Sequence, residues 1–304
     1  MSSQSHQAAQ AQSGTLEGRV LRSHSNLFWV LAEGREWTCR QRGKFRLDRN
    51  AVLTGDHVFF EPQPDGTGYI VEIKERRNEL IRPPIANVDQ ALIVFTASEP
   101  DLNLPLLDRF LVLAEWSDIG VVLLLNKVDL IEPAVAEAIA RPYRRSGYTV
   151  LLMAAKHGLG VDELRPLLAD RVSVLAGQSG VGKSKLTNAL VPGLSLRTGE
   201  VSAKLGRGRH TTRHVELLPV AGGLLADTPG FSLLDIAGIP KEQLWLCFPE
   251  FLEFGNHCRY PTCLHHSEPD CAVKEAVDGG RIQASRYERY LEFLQEISAV
   301  PRRY

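Results

Sequence analysis

Gly177-Gln178-Ser179-Gly180-Val181-Gly182-Lys183-Ser184 sets three glycines, a lysine and a serine at the spacing of a phosphate-binding loop. Glycines let the backbone curl until its N–H groups converge on the α- and β-phosphates of a nucleotide. Lys183 can reach the β- and γ-phosphates as a point charge, and the Ser184 hydroxyl can ligate Mg2+. The apolar run Val172–Ala176 reads as a buried strand, and Lys185–Leu190 as the start of a helix whose first amides face the loop. A ligand-free glycine-rich turn is the competing reading, and the strand–loop–helix context counts against it.

Upstream, Asn126-Lys127-Val128-Asp129 follows the strand-like run Val121–Leu125. The Asp129 carboxylate can accept from both N1–H and the 2-amino group of guanine, whereas adenine offers an acceptor at N1 and no 2-amino group. Lys127 can lay its stem along a base, and Asn126 can tie this loop to the phosphate loop. After the next strand, a backbone N–H around Ala155 and Lys156 can meet guanine O6. Downstream, Asp227-Thr228-Pro229-Gly230 offers a carboxylate for the Mg2+ shell and a Gly230 N–H for the γ-phosphate. Between these lies Lys204–Arg213, cationic and glycine-rich, where Thr211 or Thr212 can complete the metal site as a switch. Phe231 stands where many GTPases carry a water-orienting glutamine. Unaided hydrolysis is therefore expected to be slow, with His210 or a partner's group orienting the water.

A second constellation lies near the C-terminus. Cys258, Cys263 and Cys271 cluster with His257, His265 and His266, while Cys39 and Cys247 stand alone. Three thiolates and one imidazole suit a closed tetrahedral zinc site, structural because no position is left open.

These residues need elements to hold them. The chain has 304 residues, enough for two or three domains, and its 35 Lys+Arg against 36 Asp+Glu exclude a globally basic nucleic-acid binder. No apolar run approaches the roughly 18 residues of a membrane span. The polar start lacks a signal peptide's apolar core, so residues 1–14 read as a disordered tail and the protein as cytoplasmic, with no membrane partner. Residues 15–76 show five short strands with Pro64–Gly68 as a hairpin loop, which suits an OB-type barrel. Arg35, Arg40, Arg42, Lys44 and Arg46 interleave with Trp37 and Phe45, as an RNA-binding face would, or as a solvated basic loop over core aromatics. Residues 76–88, charged and then proline-rich, read as a linker or a domain entry. Residues 77–238 alternate strand and helix, with Leu106, Leu107, Phe110, Leu111 and Ala114 on one face of a helix over 105–116. Residues 239–304 hold the cysteines and a helix over 285–300 striped by Tyr287, Tyr290, Leu291, Leu294 and Ile297. The fold class is multidomain: an OB-type β-barrel, a central α/β P-loop domain and a mainly helical zinc-binding domain.

The order of the motifs is unusual. Ordinary GTPases place the phosphate loop before the base-reading Asn-Lys-x-Asp, and here positions 126–129 precede 177–184, as in a circular permutation. With Arg82-Pro83, Asn87-Val88-Asp89-Gln90, Gly206-Arg-Gly-Arg-His-Thr-Thr, Asp227-Thr-Pro-Gly-Phe and Cys258 through Val273, nearly the whole chain resembles the RsgA/YjeQ-like family of small-ribosomal-subunit-dependent, circularly permuted ribosome biogenesis GTPases. His265 has that family's ligand spacing, giving the set Cys258, Cys263, His265 and Cys271. The resemblance implies GTP/GDP with Mg2+, one structural Zn2+, and slow GTP hydrolysis stimulated by the 30S subunit. It also implies 16S rRNA contacts from the barrel and zinc domain, a role in late subunit maturation, traffic with other assembly factors, and a monomer. Lys185 and Ala154 depart from serines common in the family and remove no group the chemistry needs. A GTP-binding RNA scaffold with little hydrolysis is the alternative, and Asp129 argues against an ATP-using kinase.

Overall fold

The computed structural model describes residues 14–42, 51–81, 83–191, 215–227 and 235–299, in two compact units. The first comprises residues through Asn87 together with a short segment ending at Leu217. Its strands are β1 (Leu16–His24), β2 (Leu27–Ala32), β3 (Arg35–Gln41), β4 (His57–Pro62) and β5 (Thr67–Ile73). Antiparallel pairs β1–β2, β2–β3, β4–β5 and β1–β4 and the parallel pair β3–β5 close a five-stranded barrel. Alternate residues Val20, Phe28, Val30, Trp37, Val58, Phe60 and Ile70 fill its interior, the period-2 pattern that made the strands legible. Trp37 is thus a core residue, with Arg35 over its ring at 3.6 Å. Lys44, Phe45 and Arg46 lie outside the described residues.

Of the two readings of residues 76–88, the linker fails. This stretch includes the antiparallel hairpin of β6 (Glu79–Ile81) and β7 (Pro84–Ala86). Arg76 makes two bonds, of 2.7 and 2.9 Å, to the fully buried Asp56 carboxylate. A buried carboxylate with a bidentate guanidinium holds chain in place, which composition does not show.

The second unit runs from Val88. It contains β8 (Gln90–Thr96), α1 (Leu104–Trp116), β9 (Gly120–Asn126), α2 (Pro133–Arg145), β10 (Thr149–Leu152) and α3 (Val161–Leu168). Then come β11 (Val172–Ala176), α4 (Lys183–Leu190), the end of β12 (Glu216–Val220), β13 (Gly223–Asp227), α5 (Pro249–Gly255), α6 (Ala272–Asp278) and α7 (Ala284–Ala299). The strand order β10-β9-β8-β11-β13 is parallel throughout. From β8 the chain first winds outward through β9 and β10, then returns to β11 on the other side. The C-terminal ends of β8 and β11 therefore flank a topological switch point, where such sheets bind ligands.

The C-terminal helices gather Phe248, Phe251, Tyr290, Phe293, Leu294 and Ile297 into one core. The aromatic stripe of α7 is mostly spent there: Tyr290 and Phe293 are buried, and Leu291 packs partly against the same cluster.

Candidate nucleotide-binding site and metal cluster

Val172–Ala176 is buried at every residue and stops at Gly177, where the phosphate loop turns. Gly177 has φ +135°, and a Cβ there would stand 2.1 Å from the Val94 carbonyl oxygen. At Gly182, φ is +103° and a Cβ would stand 2.4 Å from Asn126 Nδ2. Neither position admits a side chain. Val181 plugs the loop into the core at 2% exposure, and α4 starts at Lys183 with its first N–H groups uncapped by any side chain. The Lys183 ammonium donates to the Gly177 and Gln178 carbonyls, both at 2.7 Å, and burial lowers its pKa. Ser184 is half-buried and Lys185 exposed on the helix that follows. Gly177→Ala is expected to destabilise the fold by about 1–3 kcal/mol and to abolish binding of fluorescent GDP, read by denaturant unfolding and titration.

Asn126 ends β9 and is 4% exposed. Its Nδ2 donates to Val181 O at 2.8 Å in the phosphate loop, and its Oδ1 accepts from Ala155 N at 3.0 Å in the third loop. One side-chain amide thus holds three loops that are far apart in sequence. The Ala155 N–H is thereby engaged by Asn126. Lys127 is left-handed, φ 62°, and its ammonium donates to Glu99 O in the loop after β8. Val128 N donates to Met153 O at 3.0 Å, which aligns the turn bearing Asp129 with the end of β10. The partly exposed Asp129 carboxylate lies 3.4 Å from His157 Nε2.

Asp227 ends β13, beside β11 at the same end of the sheet, and its side chain is outside the description. His210, Thr211, Thr212, Gly230 and Phe231 lie outside the described residues.

Cys258, Cys263, His265 and Cys271 come together with all ligand atoms within 4.8 Å of one another. Cys258 Sγ is 3.8 Å from Cys271 Sγ, and His265 Nδ1 is 3.4 and 3.5 Å from those two sulfurs. A zinc tetrahedron with Zn–S about 2.3 Å and Zn–N about 2.0 Å has edges of about 3.8 and 3.5 Å, so the donor set fits that ion. Burial pushes the Cys263 thiol up to about 12, so a thiolate here needs a cation beside it. Glu268 holds the loop by accepting from Leu264 N and His266 N, both at 2.9 Å. Tyr287 and Tyr290 donate to the His265 and Leu264 carbonyls at 2.7 and 2.6 Å. His257 and His266 are not in the cluster.

One polar network carries no sequence signature. Arg286, 2% exposed, donates to Asp108 Oδ1 at 2.7 Å and to Glu250 Oε1 at 2.6 Å, and Tyr143 OH donates to Asp108 at 3.2 Å. It joins α1 and α2 to α5 and α7.

Comparison with known proteins matches residues 73–237 to the RsgA GTPase family model and residues 17–70 to the RsgA N-terminal domain model. Proteins named small ribosomal subunit biogenesis GTPase RsgA from Shouchella clausii and Geobacillus kaustophilus are 50% and 51% identical over 291 residues, covering 95% of this chain and 99% of theirs. Among solved structures, YloQ, described as a circularly permuted GTPase, is 41% identical with a TM-score of 0.83, covering 99% of this chain and all of its own. YjeQ from Thermotoga maritima is 38% identical with a TM-score of 0.84, covering 94% of this chain and all of its own.

Proposed function

Since the chain belongs to the RsgA GTPase family and is with it a GTP hydrolase, we propose that it binds the 30S subunit and assists its late maturation, hydrolysing GTP slowly alone and faster on the subunit. In this reading the barrel spans 15–76, the permuted GTPase domain 77–238 and the zinc-binding domain 239–304, with 16S rRNA contacted by the first and last. The protein works as a cytoplasmic monomer alongside other assembly factors. No helix among the described residues is long and apolar enough to cross a membrane.

The observation that carries the reading is Asn126, whose two bonds hold the base-reading loop against the phosphate loop. Amides of Gly177–Ser184 take the phosphates, and Lys183 exchanges its two loop carbonyls for β- and γ-phosphate oxygens. Asp129 reads the guanine edge, and the Lys156 amide meets O6. Ser184, Asp227 and Thr211 or Thr212 hold Mg2+, which neutralises the phosphate charge, while Gly230 meets the γ-phosphate. His210 orients the attacking water once the subunit is bound, because Phe231 cannot. Cys258, Cys263, His265 and Cys271 hold a structural zinc ion.

The test compares GTP and ATP turnover with and without purified 30S subunits. GTP turnover is expected to rise on the subunit by at least about tenfold, as general acid–base assistance commonly supplies more than that, and His210→Ala to remove the rise. GTP binding without turnover in either case would leave the scaffold alternative.

A further inference from the structure

A cavity of about 450 Å3 lies within the second unit, lined by the starts of α1 and α7 and by one face of α2. None of residues 126–129 or 177–184 lines it. Small-molecule pockets have this size, about 300–1,000 Å3, and often form between helices. Its α2 side is apolar because Ala134, Ala138 and Pro142 form one row four residues apart and Val135 and Ile139 another. These rows lie beside the stripe that Ala136, Ala140 and Tyr143 bury, and Val135 stays 47% exposed. Leu102 and Leu104 add a second apolar side.

The polar residues of the lining differ in what they leave unspent. Asp108, its one carboxylate among the described residues, accepts through Oδ1 from Arg286 Nη1 at 2.7 Å and from the Tyr143 hydroxyl at 3.2 Å. Arg286 directs Nε and Nη2 to Glu250, which does not line the cavity. Arg289 is less committed. Its Nε is 3.6 Å from Asp108 Oδ2 and has no hydrogen-bond partner, and its Nη1 goes to Glu292, an i,i+3 carboxylate that is 59% exposed. Ser285 stands one helical turn before Arg289 on α7. Toward a ligand, the cavity therefore presents donors at one side and apolar surface at the others.

We propose that this cavity is a binding site for an amphipathic carboxylate, a medium-chain acid whose apolar body lies along α2 and whose carboxylate accepts from Arg289 and Ser285. An ammonium ligand would meet two guanidiniums, with Asp108 already engaged by one of them. A carboxylate gains charge-assisted bonds from a guanidinium that a hydroxyl of the same size does not. Glu292 can give up Arg289 at small cost, since an exposed i,i+3 pair contributes little. At about 30 Å3 per water-sized group, the cavity accommodates about fifteen such groups, enough for decanoate. The acid would touch α1, α2 and α7, so binding should also raise the unfolding midpoint of this unit.

Calorimetric titration of decanoate, and separately of decanol, into the full chain tests this for wild type, Ala138→Phe, Arg289→Gln and Arg289→Lys. Wild type is expected to bind one decanoate per chain, about tenfold tighter than decanol, as a hydrogen bond to a charged group would supply. Ala138→Phe sets a ring into the cavity from an exposed helix position and should weaken both ligands by at least about tenfold. Arg289→Gln should weaken decanoate by about tenfold and leave decanol unchanged, and Arg289→Lys, which keeps the charge, should recover part of the loss. Zinc content and denaturant midpoint report whether each variant folds. If Arg289→Gln does not, Ala138→Phe and the decanoate-to-decanol ratio of wild type still decide. No saturable binding, or decanoate binding untouched by Ala138→Phe, overturns the proposal. Decanol binding as tightly as decanoate would mark an apolar groove for a protein segment and overturn the assigned ligand.

Discussion

Replacement of Arg286 by methionine is expected to destabilise the second unit by about 3–5 kcal/mol, because it strands two buried carboxylates. Asp108 and Glu250 are 4% and 7% exposed, and Arg286 is the guanidinium that bonds to both. Arg289 Nε approaches Asp108 at 3.6 Å, too far to replace a 2.7 Å bond. Breaking a buried pair costs more than the pair contributes, since the survivor keeps its desolvation penalty without its partner. The triple variant that also turns Asp108 into leucine and Glu250 into methionine should therefore recover much of the loss.

The pH dependence sharpens this. Burial raises the Asp108 pKa, opposed by the Arg286 guanidinium and the hydrogen bonds it receives. The folded state thus holds that proton at pH values where the unfolded chain has lost it, so this group's contribution falls as pH rises from the ordinary aspartate value through the raised one. Without Arg286 the folded pKa climbs further, and the deficit of the variant should grow between about pH 4 and pH 7. Denaturant midpoints across that range, with Trp245 in the same core as an optical probe, read the difference. A deficit below about 1 kcal/mol at neutral pH would place the network among pairs that contribute little.

Loss of the metal is expected to have the other large effect. A chelator strong enough to strip zinc, or Cys263→Ser, should leave less than one zinc ion per chain and unravel the segment around Cys258–Cys271, where structural zinc contributes about 10–16 kcal/mol of apparent binding energy. The segment between Cys258 and Cys271 has little regular structure of its own: it is turns and bends ahead of α6. Cys263 and Cys271 are 6% and 2% exposed, and His265 is 1% exposed with its Nε2 lacking a partner. Without an ion, the thiols and His265 Nδ1 have only weak sulfur contacts within the loop as partners. Hydrogen exchange should accelerate first at residues 258–271 and then at Tyr287 and Tyr290, whose hydroxyls anchor on that loop. His257→Ala and His266→Ala should keep the full zinc content, because both side chains stand outside the cluster. Equal zinc content and exchange in Cys263→Ser and wild type would refute the site.

Much of this was legible because the chemistry sits in contiguous residues. The five barrel strands follow from alternation, and β8, buried at all seven residues, follows from an unbroken apolar run. Of its two polar residues, Thr96 donates to Pro100 O close by, and Gln90 is satisfied by bonds to Leu167 O and Ser173 Oγ, neither near in sequence. Helix α2 was missing from the pattern: Pro142 lies inside it, and only Ala136, Ala140 and Tyr143 are buried, so its apolar stripe is thin. The hairpin β6–β7 was mistaken for a linker because charge and proline dominate it, while the fixing contact, Asp56, is 20 residues away from Arg76.

By itself the sequence determined the phosphate loop, the Asn-Lys-x-Asp, the cysteine cluster and their permuted order. Each depends on local backbone geometry and on side-chain types a few residues apart. Tertiary structure alone decided which amide Asn126 engages, what stands beside Asp129, and that Arg286 meets Asp108 across 178 residues. The physical reason is the same in each case. A buried polar atom must find its partner in space, and the sheet order that brings the partners together is a property of the whole unit rather than of any stretch of it.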